Sequence, residues 1–279
     1  MLVAVSCGIA AAAFYGSADF LGGFASKRAP MLAVTLIAQS VGLICLLGVV
    51  PFYGGHPLHS ELLWSAAGGV FGAIGIALLY HALSIGKMGV VSPITAVIAA
   101  AFPVIAGVVR GDALTWFQLL GIFVALVAVV LISMSKEESG EREIATEGVK
   151  EAIASGVAIG LFFLALGLGQ RGHGFGGLLA ARIGSVVCLL LLALAGRTPM
   201  RLPRATLGTV VASGAIDMTA NALYVVAAQT GQLAVASVLT SLYPASTVFL
   251  ARFVLRERLQ LVQKFGVGLA LIGVALIAA

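Results

Sequence analysis

Asp19, His81, Arg182 and Asp217 stand inside otherwise apolar runs, and any chemistry in this chain has to be built on them. An ionisable side chain at membrane depth is costly, so it marks a binding site, a proton path or a structural ion pair. The most ordered set surrounds Asp217. Ser213, Asp217, Asn221 and Tyr224 follow at i, i+4, i+8 and i+11, which puts a carboxylate, an amide and two hydroxyls on one helical face. Such a stripe suits the polar groups of a solute, or else a seam that glues helices together. Tyr15 and Asp19 repeat the i, i+4 spacing, with Asp19 either a deep ligand or a residue of the membrane edge near Lys27 and Arg28. Arg182 offers a planar fork to a carboxylate or phosphate, a structural partner to Asp19 or Asp217, or a snorkelling cation. His81, beside Tyr80, is a proton-relay candidate because imidazole titrates near neutrality, or an interfacial packing residue. His56 and His59 flank Pro57 without a third ligand, so no metal site is expected, and no cofactor is indicated.

The elements that must position these residues are membrane spans. The chain has 279 residues, 61% of them hydrophobic and only 10% charged, with a mean hydropathy of +1.12. A soluble domain carries roughly 25% charged residues. The formal charge of +5 is expected in loops at the cytoplasmic surface, not on a nucleic-acid interface. Cys7, Cys45 and Cys188 lie in apolar runs without metal-ligand spacing and read as small buried packing residues. Met1 is followed at once by apolar sequence with no basic stretch, so the first run is expected to stay as a span.

Runs of roughly 20 apolar residues occur at 2–24, 31–52, 61–84, 89–109, 115–134, 149–168, 176–196, 205–229, 232–251 and 260–279. They lack the period-two alternation of membrane strands, so the expected class is all-α integral membrane with ten transmembrane helices. The polar stretch 135–148 divides them into residues 1–134 and 149–279 and reads as a mobile linker. The two parts are copies of one plan. Gly86–Gly121, shifted by 145 positions, falls without a gap on Gly231–Gly266, matching Ser92 to Ser237, Thr95 to Thr240, Asp112 to Glu257 and Gln118 to Gln263. Setting Pro103 on Pro244 instead requires a slip of four residues.

Five helices per copy make the second copy inverted, and transport sites of inverted repeats lie at their interface. Pro93 and Pro103 in one copy and Tyr243-Pro244 in the other are expected to interrupt equivalent helices and act as hinges, or as ordinary kinks. Alternate loops hold thirteen Lys and Arg against two, Arg110 and Arg171, in the opposite set. The positive-inside rule then puts both termini outside.

At these residues the chain resembles the drug/metabolite transporter superfamily, specifically its EamA-type ten-helix members. The likeness is carried by the doubled five-helix unit, Tyr15-Gly16-Ser17-Ala18-Asp19-Phe20, Pro103-Val104 ahead of Arg110-Gly111-Asp112, and Leu242-Tyr243-Pro244 ahead of Arg256-Glu257-Arg258-Leu259. Gln118 with Gly121, and Gln263 with Gly266, complete it. The resemblance covers essentially the whole chain. It implies a basket-like bundle with a central cavity that works by alternating access, and relatives that export amino acids, related metabolites or toxic compounds. The small four-helix drug pumps of the superfamily use a glutamate in helix 1, where this chain has Asp19.

The expected function is a secondary transporter, and not an enzyme, exporting small polar or amphipathic metabolites, amino acids first, across the cell inner (plasma) membrane. Candidate substrate-binding residues are Tyr15, Asp19, Gln39, Tyr80, His81, Ser92, Thr95, Arg182, Asp217, Asn221, Tyr224, Ser237, Thr240 and Tyr243. Protons are a candidate coupling partner, facilitated diffusion is equally open, and nothing in the sequence sets an oligomeric state. The alternative is multidrug or toxic-cation efflux. A distant one is an intramembrane aspartyl protease using Asp19 and Asp217 as a proton-sharing dyad.

Overall fold

A computed structural model of the chain describes residues 2–53, 59–86, 88–109, 111, 113–133, 148–168, 174–255 and 261–278. Outside them lie the polar stretch up to residue 147, residues 54–58, Lys87, Arg110, Asp112, residues 169–173 and residues 256–260, together with the side chain of Pro93. The described residues form helices and connecting turns, with no strand among them.

The helices follow the apolar runs closely: α1 Leu2–Ser26, α2 Met31–Tyr53, α3 His59–Ile85, α4 Met88–Val109, α5 Trp116–Ser133 and α6 Val149–Leu168. Then come α7 Gly176–Ala195, α8 Arg204–Thr230, α9 Leu233–Thr240, α10 Tyr243–Leu255 and α11 Leu261–Ala278. Among them α1, α2, α3, α6, α7 and α8 are long and apolar enough to cross a membrane, and shorter apolar stretches fall in α4, α5, α9 with α10, and α11. The chain is a multi-pass membrane protein.

The two proline-bearing helices behave differently. The run expected as one span over 232–251 breaks at Ser241-Leu242, between α9 and α10. Pro244 lacks an N–H and its ring would strike the carbonyl four residues back, that of Thr240, so the helix stops there. The second residue of α10 is a place where a missing N–H costs nothing. Backbone bonds from Ser241 to Ser237 at 2.9 Å and from Leu242 to Leu239 at 3.3 Å satisfy the turn. By contrast α4 runs unbroken past Pro93 and Pro103, so the matched interruption expected from sequence is absent. Pro103 frees the carbonyl of Ala99, and Gly160 of α6 approaches that carbonyl closely enough for an added Cβ to sit 3.0 Å away. A neighbouring helix thus covers what the proline exposes, as membrane helices require.

The halves interlock by exchange. The first helix of each packs on the third of the other, α1 on α8 and α6 on α3, and α2 lies beside α7. Two glycines show how tight this is. A Cβ on Gly69 of α3 would collide with the Ala181 backbone of α7, and one on Gly214 of α8 with the Ala38 backbone of α2. Gly69 and Gly214 are 145 positions apart, the offset of the repeated block. Each glycine lets the third helix of one half press on the second helix of the other, the close approach that small residues permit. Gly68, Gly72 and Gly75 form the α3 face against α6. Gly273 of α11 meets Gly121 of α5, so that pair closes within the chain.

Large apolar side chains such as Phe52, Leu63, Val109 and Leu271 point outward, because lipid is as apolar as a protein core. The same reasoning corrects the reading of the cysteines. Cys45 is exposed and Cys7 and Cys188 only partly buried, since an apolar run in a membrane does not imply burial.

Candidate functional site

A cleft of about 620 Å³, its mouth included, opens where α1, α2, α3, α6, α7 and α8 converge, with Tyr243 of α10 at its edge. The wall is mostly apolar, with Ile76, Leu79, Phe162 and Leu178 among its residues. Gly69 and Gly72 belong to it as well, so the glycines that bring the helices together also leave room between them.

One end of the polar lining is a closed network. Arg182 of α7 reaches Asp217 of α8 through Nη2 and Oδ2 at 3.0 Å. Its Nη1 donates to Oε1 of Gln39 on α2, and Nη2 also lies 3.5 Å from Sδ of Met218. Ser185, a turn beyond Arg182, donates to the same Gln39 oxygen at 2.9 Å. Gly42 leaves space for the guanidinium, since a Cβ there would stand 3.3 Å from its Cζ. Three helices from both halves therefore hold one cation. A buried pair with its remaining donors satisfied is the form in which such a charge is tolerable.

The other end is open-handed. Asp19 of α1 lines the cleft at 5% exposure, and no described residue forms an ion pair or hydrogen bond with its carboxylate. It sits seven residues before the end of α1, well inside the helix rather than at its edge. Asn221 donates through Nδ2 to the Asp217 carbonyl at 2.7 Å, but its Oδ1 has no partner, and neither has the Tyr15 hydroxyl. Counting two carboxylates, Asp19 and Asp217, against one guanidinium, Arg182, the cleft carries a formal charge of one negative.

Of the residues singled out in the sequence, Tyr15, Asp19, Gln39, Arg182, Asp217, Asn221 and Tyr243 meet at this cleft. The others pack around it. Tyr80 shares a 3.1 Å hydrogen bond with Ser213, and Ser213 donates to the Ala18 carbonyl at 2.9 Å, which joins α3, α8 and α1. Tyr224 donates to the Phe163 carbonyl at 3.3 Å and lies 3.2 Å from Ser237 Oγ. Thr95 donates across to the Ala152 carbonyl at 3.2 Å. Ser92 and Thr240 are buried with their hydroxyls unpartnered, the Ser92 carbonyl accepting from Tyr243 at 3.4 Å. His81 is partly buried late in α3 and away from the cleft wall. Asp217 pairs with Arg182, and Asp19 makes no hydrogen bond with it, so the proton-sharing aspartate dyad is not formed.

Sequence reasoning passed over Ser185, Met218, Phe162 and Phe163. Ser185 had a signal, three residues after a buried arginine on the same face. The phenylalanines had none, because an aromatic in an apolar run looks like any lipid-facing residue. Phe163 stands edge-on to Tyr15 with ring centroids 5.7 Å apart and 4.6 Å from Tyr224, and so fixes the Tyr15 ring.

Comparison with known proteins agrees with this architecture. A crystal structure of a protein that shares 16% sequence identity superposes with a TM-score of 0.70, over 99% of this chain and 98% of that one. A protein of Methanocaldococcus jannaschii, described only as uncharacterised, is 26% identical over 137 residues, which is 99% of its own length and 48% of this chain. The pattern of the EamA-like transporter family matches twice, over residues 2–134 and 147–279. With both halves matched, the chain belongs to the EamA-like transporter family, whose members move small molecules across membranes.

Proposed function

We propose that this protein is a secondary transporter that exports small polar or amphipathic metabolites, amino acids foremost, by alternating access of the cleft to the two sides of the inner membrane. One observation carries the reading: Asp19, a carboxylate without a partner among the described residues, faces a cleft sewn together from both halves. An unpaired charge there is expensive unless a solute or proton meets it. The apolar wall takes the body of an amphipathic solute and the polar end takes its head group. Exposed Lys27, Arg28, Lys150, Arg197, Arg201, Arg204 and Lys264 cluster at helix ends that alternation of direction puts on one side. Exposed Trp64 and Trp116 start α3 and α5 on the other. This supports a cytoplasmic basic face and external termini. Counterflow of labelled amino acids in proteoliposomes tests the reading, and it predicts saturable exchange that Asp19→Asn abolishes.

A second reading, efflux of organic cations, is favoured by the charge balance. Arg182 is neutralised by Asp217, so among the described residues of the cleft an anion, Asp19, is left without a partner and no cation is. Under it, exchange is seen with amines that lack a carboxylate and not with amino acids.

A further inference from the structure

The cleft lining holds polar groups that have no partner among the described residues, and each of them can accept a hydrogen bond. The Asp19 carboxylate has no partner among the described residues. The Asn221 amide is oriented by its Nδ2 bond to the Asp217 carbonyl, which leaves Oδ1, an acceptor, unpaired. The Tyr15 hydroxyl, one turn before Asp19 on the same helix, is also unpaired. The Tyr15 and Asn221 oxygens are sealed from solvent, and Asp19 is 5% exposed in the cleft lining. Buried polar atoms are ordinarily hydrogen-bonded, and a cluster of exceptions asks for an explanation. The guanidinium of Arg182, the cleft's strong donor, is already engaged by Gln39 and Asp217.

We propose that Asp19, Asn221 and Tyr15 form a head-group site for a primary ammonium ion, and that this site sets which solutes the protein accepts. An R–NH3⁺ group has three N–H donors and no acceptor. It places one on the Asp19 carboxylate, one on Asn221 Oδ1 and one on the Tyr15 oxygen, and its charge cancels the single negative of the cleft. A quaternary ammonium has the charge without the donors and leaves two buried acceptors unmet. A carboxylic acid without an amine brings a second negative charge to a cleft already negative. Phe163 holds the Tyr15 ring edge-on, so the hydroxyl position does not depend on the solute. The proposal rests on the cleft being the transport site and narrows what enters it.

Binding to the purified full chain, read by calorimetry, tests the site apart from flux. The probes share one apolar body: phenethylamine, phenethyltrimethylammonium and phenylpropionate. A bond to a charged group is the stronger kind, so removing such donors costs about tenfold or more in affinity. The expected result is phenethylamine bound at least about tenfold more tightly than the quaternary analogue, and no binding of the acid. Asp19→Asn abolishes amine binding. Tyr15→Phe and Asn221→Leu each shrink the preference for the primary amine over the quaternary analogue several-fold. Tyr15→Phe keeps the ring and its packing, so it reports on the hydroxyl even if the other variants fold poorly. Equal affinity for the two cations, a preference untouched by Tyr15→Phe, or no amine binding by the folded protein overturns the proposal. Selective amine binding without counterflow of any solute instead overturns the transport reading and leaves the site standing.

Discussion

Arg182 Nη2 lies 3.0 Å from Asp217 Oδ2, with the two side chains 4% and 10% exposed. Truncating one partner strands the other, at a cost of about 3–5 kcal/mol, while removing both is far milder. Arg182→Leu should therefore destabilise the protein strongly, and Arg182→Leu combined with Asp217→Leu should recover most of the loss. Thermal unfolding of the wild type, the two single variants Arg182→Leu and Asp217→Leu, and the double variant in one detergent reads the coupling directly.

Asp19 is the opposite case. Its carboxylate is buried without a described partner, so replacing it with a neutral isostere removes a cost instead of a bond. Asp19→Asn is expected to melt at or above the wild-type temperature while losing solute binding. A lower melting temperature would show that the carboxylate has a structural partner.

The exchanged glycines predict a positional contrast. Gly69→Ala and Gly214→Ala each drive a methyl into a facing backbone, and overpacking of this kind costs about 1–3 kcal/mol. Gly48→Ala and Gly208→Ala, where an added Cβ meets nothing within 4 Å, should be neutral or slightly stabilising, since alanine favours the helix. Comparable losses at all four sites would mean the interlock of α3 with α7 and α8 with α2 is wrong.

Tyr80 and Ser213 join α3 to α8 through a single hydroxyl contact. Interhelical hydrogen bonds in membranes average about 0.6 kcal/mol in mutant cycles. Tyr80→Phe should lower stability by about that amount. Adding Ser213→Ala should cost less than the sum of the singles, because part of the loss is shared.

Much of this was legible in the sequence. Helix ends fell within a few residues because apolar run length is set by bilayer thickness, and the i, i+4, i+8 stripe of α8 showed Asp217 and Asn221 sharing a face. What the sequence left open was partnership. Whether Arg182 meets Asp19 or Asp217 depends on how α7 sits against α8, and no local pattern reveals that; Gly42 of α2 leaves the space that the guanidinium occupies. Likewise Tyr80 and Tyr224 look like cleft residues from their spacing, yet both spend their hydroxyls on neighbouring helices. A proline also does not announce whether a helix will break. Pro244 ends α9, while Pro103 is accommodated because Gly160 lets α6 cover the freed carbonyl.

The central claim is that solutes cross through this cleft. Counterflow in proteoliposomes, with labelled amino acids and amines, wild type beside Asp19→Asn and Tyr15→Phe, tests it most directly. The account predicts saturable exchange by wild type, none by Asp19→Asn, and weakened exchange of primary amines by Tyr15→Phe, all from proteins of equal thermal stability. Undiminished exchange by Asp19→Asn would contradict it, because the cleft carboxylate that has no described partner would then have no part in transport.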